Sequence, residues 1–291
     1  MRARHERWQH SSAREICVCV DDFGLHRGIN EAVLALVGMG RVQAVSAQVG
    51  GPAWSAGARE LSLLDPQGVD VGLHLDLTEC PLQAGIRMPL KEAIGRAYAG
   101  RLNVAQLRSE IRAQFDAFED ALGRAPAYVD GHQHVHQLPV VRSLLVQELL
   151  LRYPERNTGR MPWLRNTRGP SRKAHADWGT WAKAEVIAAL GSRALALLAQ
   201  RHAVAQNRRL LGVYDFSGDA QAYGRRLWRW LGAAENGDLL MCHAGLSTGQ
   251  ADPLARARFI EFSVLGSLEF AERVAFKNIR LRPMHQILES R

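Results

Sequence analysis

Short apolar runs alternate with longer segments of helical periodicity along almost the whole chain, and no other feature constrains the fold as much. The strand-like runs cover 16–20, 42–49, 69–75, 127–130, a weaker stretch at 161–164, 210–213 and 239–242. The first, Ile-Cys-Val-Cys-Val, is apolar on both faces, as expected of a parallel strand covered on both sides. Between the runs, leucines and alanines recur at three- and four-residue intervals over 29–39, 104–122, 140–151 and 181–202, which predicts helices. Gly123 and then Pro126 supply a stop after the second of these. Such alternation builds a parallel sheet flanked by helices, closed into a barrel or left open; periodicity does not choose between them.

No repeat or linker divides the 291 residues, so the chain reads as one domain over 15–291 after a basic tail, 1–14, expected to be disordered. A hydrophobic share of 47% with 23% charged residues is enough for a large core and excludes bulk disorder. The sequence has no apolar run of ~18 residues and no signal-like segment, which predicts a cytoplasmic protein without stable membrane insertion. Four cysteines in mostly apolar runs read as reduced, buried thiols, with Cys17 and Cys19 on one strand face. The net charge of +8 is spread along the chain and singles out no nucleic-acid surface. Residues 223–231 mix basic and aromatic side chains, but Tyr223, Leu227, Trp230 and Leu231 form the core stripe of an ordinary surface helix.

Groups that bind metal or move protons stand where separate strand patterns end: Asp21 and Asp22, His74, then Asp130, His132, His134 and His136, and finally His243. The C-terminal ends of parallel strands converge on one mouth, so these residues can meet despite their separation in sequence. A carboxylate with two or more imidazoles suits a borderline divalent metal, and a second carboxylate can take a proton from water. Neighbours in an extended segment point in opposite directions, so Asp21 and Asp22 are expected to divide the work, one as ligand and one as base. Three histidines beside Asp130 are costly to bury without a task; His132 is the favoured ligand, with His134 and His136 as outer or substrate contacts.

An irregular excursion over 157–179 interrupts the rhythm, and loops of that length in compact domains are usually functional or mobile. Trp163, Trp178 and Trp181, with Arg160, Arg165 and Arg168, are candidates there for ligand contacts, aromatic faces against a ring and guanidinium groups on an anion. The competing reading is that the tryptophans anchor the loop to the sheet.

Four stretches resemble one family in order and spacing: Val-Asp-Asp-Phe-Gly-Leu at 20–25, Val-Gly-Leu-His-Leu-Asp-Leu-Thr at 71–78, Tyr-Val-Asp-Gly-His-Gln-His-Val-His-Gln-Leu-Pro at 128–139 and Met-Cys-His-Ala-Gly at 241–245. They resemble the YdjC-like (ChbG/HpnK) carbohydrate deacetylases over about 15–275. The resemblance implies a single-domain, distorted TIM-like (β/α) barrel related to the polysaccharide deacetylases. It implies one divalent ion, Mg²⁺ or Zn²⁺, held by Asp22, His74 and His132, with Asp21 as general base and His243 as general acid. It implies an N-acetylated amino-sugar substrate and a homodimer. Gly131 and Gln133 depart from many relatives around His132, which leaves the sugar open. Two other readings compete: a different metal-dependent hydrolase such as a phosphoesterase, and a basic polyanion-binding protein with structural histidines.

Overall fold

The computed structural model describes residues 13–154, 161–175, 177–246 and 252–290. In chain order the elements are β1 (Arg14–Phe23), α1 (Arg27–Gly38), β2 (Ala44–Ala47), α2 (Trp54–Ser62), β3 (Asp70–Leu75), α3 (Leu90–Tyr98), α4 (Val104–Leu122) and β4 (Tyr128–Gly131). They continue with α5 (Val141–Arg152), β5 (Trp163–Leu164), α6 (Trp178–Ala189), α7 (Ser192–Arg201), β6 (Leu210–Leu211) and α8 (Ala220–Ala233). The last are β7 (Leu239–Cys242), α9 (Ala255–Leu265), α10 (Leu268–Phe276), β8 (Ile279–Leu281) and α11 (Met284–Glu289).

All seven predicted strands form, and they pair in parallel in the order β5-β4-β3-β2-β1-β7-β6, with β8 added to the start of β1. The two edges meet: Leu164 bridges Gln206, its N–H donates to the Ala205 carbonyl at 2.9 Å, and Leu210 N–H donates to the Arg168 carbonyl at 2.8 Å. These contacts close the sheet into the distorted barrel that periodicity left undecided. Closure also explains why β5 and β6 are two residues long, since the seam is carried by irregular backbone.

Residues of β1 alternate between two packing environments. Ile16, Val18 and Val20 join the outer core with the helices, while Cys17 and Cys19 join an inner cluster with Tyr128, Trp163, Leu210, Leu239 and Met241. Met284 and Ile287 belong to the inner cluster too, so α11 plugs the barrel at the end where the strands begin. His285 secures the plug: its N–H donates to Asp70 Oδ2 at 3.0 Å and its Nδ1 pairs with Asp70 Oδ1.

The helix predicted at 104–122 is observed with those bounds, capped by Asn103, whose side chain accepts from Gln106 N–H, and stopped by Gly123 at φ +64°. The single helix predicted over 181–202 is two. Gly191 breaks it at φ +139°, where a Cβ would come within 2.2 Å of the Gln137 carbonyl oxygen. Arg14, counted with the tail, begins β1 and donates to the Ala234 and Lys277 carbonyls at 2.8 and 2.7 Å. Residues 1–12 lie outside the described residues. Tyr223, Leu227, Trp230 and Leu231 are buried on α8, as their spacing predicts. Among the described residues no helix is long and apolar enough to cross a membrane.

Candidate active site

Asp21 and Asp22 both line one cavity of about 550 Å³, together with His74, His132, His134 and His243. A regular strand would send the two carboxylates to opposite faces. Here the pairing of β1 with β2 slips between Val20 and Phe23, and Asp22 takes a left-handed φ of +70°. Such a bulge re-aims a side chain, and a non-glycine residue in that region costs of order 1–3 kcal/mol that its surroundings must supply. Gly24 at φ +100° completes the bend, since a Cβ there would lie 2.6 Å from the Gln48 carbonyl oxygen.

Three donors converge on the cavity. Asp22 Oδ1 lies 3.0 Å from His132 Nδ1 and 3.4 Å from His74 Nε2. Two donors bound to one ion at ~2.1 Å stand about 3.0–3.4 Å apart for bond angles between square and tetrahedral, so the set fits a divalent metal. Asp22 Oδ2 accepts from Arg258 NH2 at 2.7 Å, and His74 Nδ1 lies 2.7 Å from Asp130 Oδ1. Burial alone would raise Asp22 and lower both histidines. For Asp22 the Arg258 charge and the two imidazoles win and hold the carboxyl well below its usual range. For His74 the carboxylates win and raise it to about 9; Asp22 and Glu79 raise His132 in the same way. Negative charge in excess of what neutral imidazoles can answer is the environment a divalent cation requires.

Asp21 belongs to a second, deeper network. Its Oδ2 and Oδ1 accept from Arg165 NH1 and NH2, each at 2.6 Å, and Arg165 NH2 also lies 2.6 Å from Asp130 Oδ2. The Ser46 hydroxyl sits among them, 3.1 Å from Asp21 Oδ1, 2.7 Å from Asp130 Oδ2 and 2.7 Å from the Tyr128 hydroxyl. Burial pushes Asp21 up, but the Arg165 charge and hydrogen bonds outweigh it and keep the carboxyl ionised well below the usual range. Asp130 thus ties the two networks together by touching both Arg165 and His74.

His243 follows β7 and faces the cavity edge-on to Phe216, with ring centroids 5.0 Å apart. Its backbone N–H donates to Glu261 Oε2 at 2.5 Å, and Glu261 Oε1 accepts from the Tyr214 hydroxyl at 2.6 Å, which fixes the strand end against α9. The general-acid role implied for His243 needs a protonated imidazole, which the resting site does not provide. Burial pushes His243 down to about 4 against the opposing pull of Asp22 and Asp21, so the imidazole is neutral at neutral pH.

The residues predicted to grip the sugar are divided. His134 lines the cavity, with Gln133 and His134 both at positive φ to present it. His136 does not line it; fully buried, it places Nε2 3.0 Å from the Arg165 carbonyl oxygen and supports that residue from behind. Trp163 is no sugar platform: it faces the barrel interior, stacks on Tyr128 at 4.2 Å between centroids and donates from Nε1 to Asp70 at 3.2 Å. Trp178 and Trp181 pack on each other away from the cavity, Arg168 is exposed, and Arg160 lies outside the described residues. Apolar side chains instead make up much of the lining: Leu25, Leu90, Ile94, Leu138, Ile187 and Leu190. Sequence reasoning assigned no role to Arg258, Glu79, Ser46 or Glu261, and named Asp130 only as one of the strand-end groups. Only Asp130 carried a usable signal, as a carboxylate closing a strand run.

The YdjC-like protein family matches the sequence over residues 15–275. The chain is 35% identical over 176 residues to a human carbohydrate deacetylase, covering 51% of each chain. It is 37% identical over 139 residues to a chitooligosaccharide deacetylase of Yersinia enterocolitica serotype O:8, covering 45% of this chain and 53% of that one. It thus spans about half the length of these relatives. Among solved structures, a candidate cellobiose-phosphate cleavage protein from Enterococcus faecalis V583 superposes with a TM-score of 0.69 at 17% identity, over 95% of this chain and all of that one. A peptidoglycan N-acetylglucosamine deacetylase superposes at 0.50 with 10% identity, over 94% of this chain and 88% of that one. At such identities these two likenesses speak for the fold, and the fold agrees with the sequence match that spans it: the chain belongs to the YdjC-like protein family.

Proposed function

We propose that the protein is a metal-dependent hydrolase that removes the N-acetyl group from an N-acetylated amino sugar, carried on an oligosaccharide or on a nucleotide- or lipid-linked acceptor. The observation that carries this reading is the meeting of Asp22, His74 and His132 in one cavity whose wall also presents Asp21 and His243. The names of the relatives, carbohydrate and chitooligosaccharide deacetylase, support it. Asp22, His74 and His132 would hold one divalent ion, Mg²⁺ or Zn²⁺, with imidazole ligands favouring zinc. Such an ion would supply Lewis acidity, acidifying water and polarising the acetamide carbonyl.

The chain's own residues handle the proton. Asp21, kept ionised by Arg165, and His243, kept neutral by burial, both rest as acceptors at neutral pH. The proton lost by the attacking water is therefore the one the departing nitrogen needs. Asp21 accepts it as general base and passes it on to His243, which acts as general acid only once it has gained that proton and then gives it to the departing amine. The apolar residues of the lining suit the acetyl methyl and the apolar face of the sugar ring, and His134 is among the polar groups that line the same cavity. A homodimer in the cytoplasm completes the reading.

The test is acetate release by the metal-supplemented protein from N-acetylglucosamine oligomers and nucleotide- or lipid-linked N-acetylhexosamines, with His132→Ala as control. Release lost in the control is the expected result. No release from any substrate, from a wild type that also binds no divalent metal, would refute the proposal. More than one catalytic metal per chain would favour the phosphoesterase alternative.

A further inference from the structure

We infer that Glu79 is a positioning residue of the metal centre, one that turns His132 so that Nδ1 rather than Nε2 faces the ion. The inference rests on the metal-site reading above and goes beyond it by fixing which nitrogen of each histidine binds.

A metal-binding imidazole gives its other N–H to an acceptor, which sets the tautomer and the ring's orientation. His74 shows that arrangement complete. Its Nδ1 lies 2.7 Å from the fully buried Asp130, and its Nε2 points toward Asp22 Oδ1 at 3.4 Å. His132 repeats it with the nitrogens exchanged: Nδ1 lies 3.0 Å from Asp22 Oδ1 and Nε2 lies 2.9 Å from Glu79 Oε2. The Glu79 carboxylate stands off the direction of the ring N–H, so buried Nε2 has no aligned hydrogen bond among the described residues. It has the freedom to align. The Glu79 side chain is 42% exposed, while its backbone is held where its N–H donates to the Asp76 carboxylate at 3.1 Å. With Arg258 on the outer oxygen of Asp22, each of the three ligands then has a charged partner behind it: Asp130, Glu79 and Arg258. Glu79 reaches the ring nitrogen remote from Asp22, which makes it an outer partner and not a fourth ligand.

Zn²⁺ affinity measured by chelator competition on wild type, Glu79→Gln and Glu79→Ala, with visible spectra of the Co²⁺-loaded proteins, tests this. Glu79→Ala should bind roughly 10- to 100-fold more weakly, Glu79→Gln, which keeps an acceptor oxygen, should fall between, and the Co²⁺ bands should keep their position and intensity because the ligands are unchanged. Equal affinity for wild type and Glu79→Ala, within about twofold, would overturn the inference. So would Co²⁺ bands that change to those of another coordination number, since Glu79 would then be a ligand. A wild type that holds no divalent ion would end the inference together with the metal reading, a failure distinct from the other two. The half-exposed position makes misfolding an unsuitable explanation for weaker binding, and unchanged melting of the metal-free variants verifies that.

Discussion

Replacing Arg165 with methionine tests how the site is supported. Arg165 has no exposed surface and neutralises two carboxylates that are themselves buried, meeting Asp21 through both nitrogens at 2.6 Å and Asp130 at 2.6 Å. Removing one partner of a buried ion pair leaves uncompensated charge and costs ~3–5 kcal/mol, although replacing a whole pair by apolar groups can be neutral. At ~2–4 °C per kcal/mol for a chain somewhat shorter than this one, the melting temperature should fall by about 6–20 °C. The decisive comparison is with the double variant Arg165→Met/Asp21→Asn. Neutralising Asp21 removes the charge that Arg165 answered, so the double variant should be more stable than Arg165→Met by at least ~1 kcal/mol in urea unfolding, while both lose acetate release. A cost below ~1 kcal/mol for Arg165→Met, or a double variant in which the two losses simply add, would refute the reasoning that the pair carries the charge balance of the barrel interior.

Glu261 gives a pH signature. Burial is the largest influence and pushes it from 4.5 up to about 7, against the Tyr214 and His243 hydrogen bonds and the Arg258 charge. Between these values the folded protein holds a proton that the unfolded chain has lost, so stability falls as pH rises through that window, by ~3 kcal/mol at most. Glu261→Gln should flatten that slope relative to wild type; identical pH profiles of unfolding free energy in the two proteins would contradict the assignment. At the other end of the barrel, Met284→Ala opens a cavity under the α11 plug and should cost ~2–5 kcal/mol in denaturant unfolding. A loss under ~1 kcal/mol would mean that α11 does not seal the inner core.

The alternation of apolar runs and helical stretches was enough to locate seven strands and the long α4, because each element buries one face and its period records which. The same logic put Asp22, His74, His132 and His243 at strand ends, and parallel strands end at one mouth whatever their separation in the chain. Closure of the sheet was not legible, because the seam is made by Leu164 with Gln206 in backbone without periodicity. Nor was the joint aim of Asp21 and Asp22, which depends on a bulge and a left-handed φ at a residue whose neighbours give no turn signal before Gly24.

The partners were further out of reach. Arg258 meets Asp22 across 236 positions, from a helix whose local pattern marks it as an ordinary basic residue, and Arg165, read from the sequence as a ligand contact, meets Asp21 across 144. Trp163 shows the converse: its composition and loop setting suggested a sugar platform, and the tertiary structure turned it inward onto Tyr128 and Asp70. Sequence thus determined which elements form and which residues stand at their ends, because both follow from interactions a few residues long. Tertiary structure alone decided which charges face which, because burial removes the water that would otherwise screen them and makes distant partners obligatory.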